Sequence, residues 1–452
     1  MPEIDARLTR GLDALRTQRG SLDRLHAWYV GDHPRPYIPR KAADEYRKIV
    51  DTASSAWLRL VIDSITERLR LDGWTAEDTD DAETDREAWR IWRANRMPHA
   101  STLVHTEALT LGQSYVSVWP NPADPATPTI RGESARRVYV ARSSLDFSPL
   151  WAVKSWAAGP DEPPGETAFL YDAQRVQRYT RPDKTGEWTP DGPPVPNPLG
   201  RVPFVEFSNN RDLLGRVMSE IAPLIPIQER INATNLHMQL AMLVAAFRQR
   251  WAAGLVIPVD ENGDPVEPFN SAVDRLWVSD NPEAKFGEFS ESNLANYVTV
   301  LESLVRQLSA ISAVPAHYLL GEMVNLSAEA LKAAEAGLSA KVRHKQLSLG
   351  ESWADVMELV RLAGGRVATV EPHWADTEAR SEAQLVDALS KLGAPPIGVP
   401  QEALWERYGA SPTLIKRWQD MQARATTRAT QAEVAGAFAA RQHDPLDVPD
   451  AA

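Results

Sequence analysis

Apolar residues recur at three- and four-residue spacing through three long stretches between residues 217 and 365, and the rhythm breaks at two places. From Asn293 to Ala313 the positions Leu294, Tyr297, Val298, Leu301, Leu304, Val305, Leu308 and Ile311 fall on one face of an α-helix. Ser292 is placed to cap that helix. Pro315 stops it, because proline lacks the N–H and its ring clashes with the preceding turn. From Pro226 to Gln249, Ile227, Ile231, Met238 and Met242 share a face, with Leu236, Leu240, Leu243 and Phe247 beside it. Pro226 suits a first helical position. A third helix is predicted from Ala328, after the cap Ser327, to Leu362, with Gly364-Gly365 as its stop. At about 1.5 Å per residue it spans roughly 50 Å, with Gly350 a point where it can bend. Strand-like sequence punctuated by Pro and Gly separates the first two helices. An apolar loop, Val314 to Leu326, separates the second and third. Two rods around a β insert, then a loop and another rod, describe a mechanical part more than a catalytic pocket.

Upstream, residues 1–115 read as mainly helical. Trp57 to Leu69 makes an amphipathic helix ending near Gly73, an acidic stretch leads into a helix with Trp89 and Trp92, and Leu103 to Leu111 marks one that stops at Gly112. From Tyr115 the period changes to two. Strands are predicted at Tyr115 to Trp119, Val138 to Val140, Trp151 to Trp156, Ala168 to Tyr171 and Val202 to Phe207, between Pro-rich turns such as Asn121 to Pro128 and Pro190 to Pro198. In the insert, Asn262-Gly263 favours a tight hairpin. After Gly365 come helices over Ala383 to Leu392, Gln401 to Tyr408 and Pro412 to Arg441, then a polar tail expected to be disordered. The fold class is α+β.

Composition narrows the chemistry. The chain has 452 residues, 43% of them hydrophobic, enough for a sizeable core. Its longest apolar run, Leu240 to Phe247, is too short to cross a bilayer, and Met1 to Arg19 has no signal-peptide core. The absence of cysteine excludes disulfides and thiolate metal sites and fits synthesis in a reducing cytoplasm. A net charge of −12 with dispersed basic residues argues against a conventional nucleic-acid binder, yet an acidic wall can surround DNA without sticking to it. Phosphate loops, nucleophile elbows and metalloprotease helices are missing from the sequence. No cofactor or metal is expected. His105, His237 and His344 read as surface or core histidines, and Asp260 to Glu267 as a hairpin turn without the ligand register of a calcium loop. The acidic run Glu77 to Glu87 reads as a solvated approach to a helix rather than a cation site. Fifteen tryptophans raise the alternative of a glycan-active enzyme, but Trp57, Trp89, Trp119, Trp277 and Trp353 sit at core spacings and no carboxylate pair is nominated.

Several segments, in order, resemble the portal proteins of tailed bacteriophages, of the kind found in long-tailed phages of Gram-positive hosts including actinobacteria. They are Tyr29-Val30-Gly31-Asp32-His33-Pro34, Trp57 to Arg70 with Leu71-Asp72-Gly73-Trp74, Leu109 to Val118 and Pro198 to Val205. Gly215 to Asn232 follows, with Ser219-Glu220-Ile221 and Gln228-Glu229-Arg230-Ile231-Asn232, and then Ile311 to Ala330 with Tyr318-Leu319-Leu320-Gly321. The resemblance covers about residues 20 to 420. It implies a wing over 1–215, a first stem helix over 216–249, a clip over 250–290 and a second stem helix over 291–313. A tunnel loop over 314–326, a spine helix and return over 327–374, a helical crown over 375–441 and a tail over 442–452 complete the expected organisation.

The same resemblance implies a ring of copies, twelve in family members, at one capsid vertex of the virion, assembled in the host cytoplasm. Double-stranded DNA would enter and leave through it. Its partners would be the terminase large subunit, a head-tail adaptor, and the major capsid and scaffolding proteins, with no membrane and no catalysis. Expected DNA-facing residues are His317, Tyr318, Leu319, Leu320, Glu322, Met323, Val324 and Asn325. Expected stem contacts between subunits are Leu294, Tyr297, Val298, Leu301, Leu304, Val305 and Leu308, and expected clip contacts with partners are Val256, Val259, Asn262 and Trp277. A minor head protein that does not form the channel is the other alternative. The stem helices carry no lysine, so lysine contacts with DNA cannot be carried over to them.

Overall fold

The structure, a computed structural model, describes residues 4–39, 46–76, 82–183, 186–246, 250–254, 283, 285–288, 293–321, 328–376, 382–408, 410 and 412–442. The chain divides into two compact units, one of residues 1–26, 62–220 and 331–452, the other of 27–61 and 221–330.

In the first unit a six-stranded antiparallel sheet holds β4 (Val138–Arg142), β5 (Pro149–Ala157), β6 (Glu166–Tyr171), β7 (Arg175–Arg181) and the two-residue β8 (Thr189–Pro190), in that order. The equally short β9 (Val195–Pro196) pairs with β7. Helix α1 (Ala6–Val30) lies on it. Leu8 and Leu15 are buried on Val153, Ala168, Leu170 and Tyr179, while Leu22 joins Tyr115, Val138, Val140, Ala152 and Phe204. The heptad spacing of those leucines makes the helix amphipathic, and Gly11 lets it come close. A Cβ there would stand 2.5 Å from Val153 Cγ2.

Beyond α2 (Arg47–Thr52) and α3 (Trp57–Thr66), β1 (Leu71–Ala76) pairs antiparallel with β13 (Val370–Trp374), about three hundred residues away. Helical spacing predicted a helix running on to Gly73. Instead α3 ends at Thr66, and the next apolar residues are claimed by this distant partner. Helices α4 (Ala82–Ala94) and α5 (Met97–Leu111) follow, and then a three-stranded sheet of order β10 (Phe204–Ser208), β2 (Gln113–Trp119), β3 (Thr129–Glu133). Strands β3 and β7 escape the sequence pattern because each buries few apolar side chains, only Ile130 in the first and Val176 and Tyr179 in the second. The Pro-rich turns of 190–198 also contain β8 and β9.

The long helix α9 (Ala328–Leu362) has the predicted limits, and Gly364, at φ +103°, terminates it. Its Trp353 is fully buried, 4.8 Å from Trp92 and 4.4 Å from Phe207 between ring centroids, and Trp92 in turn meets Trp74 at 5.3 Å. Trp353 Nε1 donates to His105 Nε2 at 2.9 Å. Burial holds His105 down to about 3, so it is neutral and its Nε2 is free to accept. These indoles are core, as their spacing predicted, and present no face to a sugar. Trp57, Trp89 and Trp119 are half-buried; Trp277 lies outside the described residues. After β13 come α10 (Glu382–Gly393), α11 (Gln401–Tyr408) and α12 (Pro412–Gln442).

In the second unit, α6 (Ile225–Ala246) packs on α7 (Ala295–Ser312), and β11 (Arg250–Ala253) pairs with β12 (Lys285–Glu288). A short helix, α8 (Ala316–Leu320), follows. The predicted caps Ser292 and Ser327 and the expected polar tail fall outside the described residues.

Helix propensity favours alanine over glycine by about 1 kcal/mol in a helix interior. Gly11→Ala is nevertheless expected to lower stability by about 1–3 kcal/mol through the clash with Val153. Thermal melting of G11A against G11A/V153A, in which the second change removes the clash and restores part of the loss, checks this.

Candidate functional site

Open apolar surface and buried polar anchors occur in two places, each within its own unit. In the second unit, Arg230 Nη2 donates to Gln307 Oε1 at 3.4 Å near one end of the α6–α7 pair, and β11 pairs with β12 beyond the other, so the helices run antiparallel. Toward the Arg230 end most of the apolar side chains are covered, although Ile311 near the end of α7 is exposed. Ile225, Ile227, Ile231 and Leu236 of α6 are buried, as are Leu304, Val305 and Leu308 of α7. Two polar side chains share that burial. Gln228 Nε2 donates to the Ser55 carbonyl at 2.9 Å and to Asn232 Oδ1 at 2.8 Å, and Asn232 Oδ1 also accepts from Ser55 N at 3.2 Å. One helical turn apart, Gln228 and Asn232 thus clamp the segment between α2 and α3 onto α6.

Toward the β11–β12 end the cover is lost. Met242 and Val298 are each 50% exposed, Val300 is exposed, and Leu294, Tyr297 and Leu301 are only half-buried. The predicted stem contacts therefore divide. Leu304, Val305 and Leu308 are covered by their own chain and cannot serve a neighbour; Leu294, Tyr297, Val298 and Leu301 retain open surface.

The segment read as a loop from Val314 is partly helical. Ala313 at φ +57° ends α7, Pro315 opens the single turn of α8, and Gly321 at φ +68° closes it. A turn forms because Ser309 Oγ binds the Val314 carbonyl at 2.7 Å and Gly321 N returns to the His317 carbonyl at 3.0 Å. Leu319 is buried in its own unit, which corrects its expected place facing DNA. His317, Tyr318 and Leu320 keep partial exposure, the first two rings 4.7 Å apart. Glu322, Met323, Val324 and Asn325, and the clip residues Val256, Val259, Asn262 and Trp277, lie outside the described residues, as does the Asp260–Glu267 turn.

In the first unit, the segment 209–220, ahead of α6 in the chain, is fixed by a buried ionic cluster. Glu220 accepts from Lys341 Nζ and Lys345 Nζ of α9, each at 2.6 Å, and from Asn210 Nδ2 at 2.8 Å. Lys345 Nζ also donates to Asn209 Oδ1 at 2.7 Å and Asn210 Oδ1 at 2.6 Å. Ser219 Oγ binds the Thr110 carbonyl at 2.6 Å, and Glu220 N the Leu109 carbonyl at 2.9 Å. Gly112, at φ +92°, lies under Met218, where a Cβ would be 3.3 Å from its carbonyl carbon. Burial alone would raise Glu220, but the two ammonium groups overcome it and hold the carboxyl down to about 2. Lys345 is shifted downward because its own burial outweighs the carboxylate.

Sequence reasoning missed one exposed feature beside this cluster. At the turn Asp212-Leu213-Leu214-Gly215, Leu213 is 99% and Leu214 73% exposed. The turn is stiff: Asp212 Oδ1 accepts from Leu214 N at 2.9 Å and Arg216 N at 2.8 Å, and a Cβ on Gly215 would strike the Phe147 ring. Glu206 pairs with Arg142 and Arg211 at its base. Two leucines inside an Asp/Gly turn were the available signal.

Asp85, in the acidic run, is buried and accepts from Ala76 N at 2.9 Å, while Glu87 pairs with Arg90, so both have structural partners. Among the described residues no group of three His, Asp or Glu side chains is placed to hold a metal ion, and no helix is long and apolar enough to cross a membrane.

The helix pair of the second unit and the turn at 212–215 of the first each leave apolar surface open, as a structural component that associates with others does. The family model for phage portal proteins of the SPP1 Gp6-like kind matches residues 12–428. The chain is 31% identical over 391 residues to the portal protein of Mycobacterium phage D29, covering 81% of this chain and 78% of that one. It is 30% identical over 357 residues to that of Mycobacterium phage L5, covering 74% and 71%. Among solved structures it is similar to a chain from the neck of an empty GTA particle, at TM-score 0.45 and 12% identity, covering 85% of this chain and 98% of that one. A chain from the neck of the native GTA particle gives TM-score 0.44 at the same identity and coverage. The chain belongs to the phage portal protein family, SPP1 Gp6-like. That family is one of structural virion proteins.

Because its folded value lies below the ordinary 4.5, Glu220 contributes stability that is complete above about pH 4.5 and is lost as pH falls toward about 2. Glu220→Gln leaves the buried ammonium of Lys345 and the half-buried one of Lys341 without their carboxylate and is expected to cost about 3–5 kcal/mol at pH 7. Urea unfolding of both proteins at pH 7 and pH 3 checks this: the deficit shrinks at the lower pH, whereas a pH-independent deficit contradicts the charge assignment.

Proposed function

We propose that copies of this chain close into a ring, twelve by analogy with the family, at one vertex of the capsid, and that the ring is the conduit through which double-stranded DNA is packaged and ejected. In this reading α6 and α7 are the stem, 250–290 the clip, 314–326 the tunnel loop, α9 the spine of the wing, and α10 to α12 the crown. The terminase large subunit and, later, a head-tail adaptor dock on the clip, while capsid and scaffolding proteins surround the wing during assembly in the host cytoplasm. The chain itself performs no catalysis.

The observation that carries the reading is the half-covered stem. An isolated soluble chain has little reason to leave Met242, Val298 and Val300 in water at one end of a helix pair and Ile311 near the other, whereas a neighbour gives them cover. Closure by rotation needs two unlike faces on each copy. The rigid tip carrying Leu213 and Leu214 supplies a second apolar surface distinct from the stem. Of the loop residues, His317, Tyr318 and Leu320 keep the exposure that contact with DNA requires. The protein's net charge of −12 suits a passage that must not hold phosphates tightly.

Native mass measurement and electron microscopy of the purified protein are expected to give a closed ring. Val298→Asp and the pair Leu213→Asp/Leu214→Asp should each reduce ring formation at least about tenfold, since desolvating a carboxylate in an interface costs more than 1.4 kcal/mol. Melting of the monomer should be unchanged. A protein that stays monomeric under assembly conditions, or a ring in which Val298 still faces solvent, contradicts the proposal.

A further inference from the structure

The outer face of α12 carries charge that nothing in the fold explains. The helix is anchored by its first turns: Ile415 is buried, Trp418 lies 5.4 Å edge-on from Trp405, and Gln422 Nε2 reaches Gln401 Oε1 at 3.3 Å. From residue 420 to 434 every side chain is exposed. At 3.6 residues per turn, Arg417, Arg424 and Arg428 fall within about 40° of one another, with Ile415 on the opposite side and Trp418 about a quarter turn round. The three guanidinium groups therefore form a row about 16 Å long that points away from the body of the unit.

On other helices of this chain exposed cations are commonly matched one turn away by a carboxylate. Arg16 pairs with Asp13, Arg90 with Glu87, Arg306 with Glu302, Arg361 with Glu358 and Lys391 with Asp387. Along α12 the pattern stops. None of Arg417, Arg424 and Arg428 has an ion pair or hydrogen bond among the described residues, although Asp420 stands one turn from the first two. Between Lys416 and Glu433 four cations (Lys416, Arg417, Arg424, Arg428) face two anions (Asp420, Glu433), in a chain whose net charge is −12. Like charges one turn apart destabilise a helix on their own, so the row gains only when a polyanion lies along it.

We infer that the Arg417–Arg424–Arg428 face of α12 is a binding surface for the phosphate backbone of duplex DNA. The inference rests on the reading of the chain as a DNA conduit and adds a specific contact to it. Planar guanidinium groups bind phosphate oxygens in pairs, and about 16 Å of duplex carries roughly nine phosphates, more than enough for three arginines. The face offers a protein partner little to bury, since Met421 is its main apolar side chain. The contact is independent of base sequence and sensitive to salt. Any rotational assembly repeats it once per copy.

The test is anisotropy titration of a fluorescent linear DNA duplex with the full-length protein between about 50 and 200 mM salt, with native mass measured on the same samples. The variants are Arg417→Gln/Arg424→Gln/Arg428→Gln, the same three changed to Lys, and a control with the paired Arg16, Arg306 and Arg361 changed to Gln. The glutamine variant is expected to bind at least about tenfold more weakly at low salt. Its slope of log affinity against log salt should be shallower by about 2.7 for each helix engaged. The lysine variant and the control should stay close to the wild type, and circular dichroism confirms that all are folded. Wild-type protein that does not bind the duplex, or a glutamine variant with unchanged affinity and slope, overturns the inference. So does a glutamine variant that loses a protein partner while keeping DNA. A ring with unaltered DNA binding removes only this surface, whereas failure to form a ring removes the conduit reading.

Discussion

The carboxylate of Glu220, held by Lys341 and Lys345 and by the side chains of Asn209 and Asn210, is the constraint on which the arrangement of the first unit turns. Three stretches of sequence meet at it: the end of α5, the segment 209–220 and the middle of α9. Burying three charges is costly, and an apolar cluster of similar volume can be as stable. Such a cluster would accept several registers of α9, whereas two ammonium groups one turn apart on a helix accept one. The ionic cluster thus fixes the segment 209–220 against α9 within the first unit.

Around that point the core is built from aromatic and aliphatic residues with complementary roles. Trp74, Trp92 and Trp353 fill the space between β1, α4 and α9; Trp353 Nε1 finds an acceptor in a histidine kept neutral by burial, while the buried Nε1 atoms of Trp74 and Trp92 have none among the described residues. On the other side, Leu8, Leu15 and Leu22 seat α1 against the sheet, with Gly11 permitting the close approach. Both arrangements make a stiff body. Apolar surface left open on such a body, at Leu213 and Leu214, cannot be hidden by rearrangement and is available for association.

Much of this organisation was legible in the residues. The limits of α9 follow from a long run of helix-compatible spacing closed by Gly364, and the strand regions follow from the change of period at Tyr115. The order of the segments around Gln228, Asn232, Ser219 and Glu220 carried the family resemblance, and their roles are now visible as clamps. Strand β1 was misread because its apolar residues also fit a continued helix, and only pairing with β13 decides between the two. Leu319 was placed facing DNA because an apolar loop offers no sign of which leucine turns inward.

The sequence by itself determined which stretches are rods, sheets and turns, because period, glycine and proline act over a few residues. It also determined the family, through motifs whose order survives. Only the tertiary structure decided which parts of each apolar stripe are covered. Leu304, Val305 and Leu308 look the same in sequence as Leu294 and Val298, yet the first three are closed by their own chain and the others are not. The same holds for charge: Lys341 and Lys345 look like any helix cations in the sequence, and only the fold places Glu220 beside both. Cover and pairing depend on residues distant in the chain, and local pattern carries no record of them.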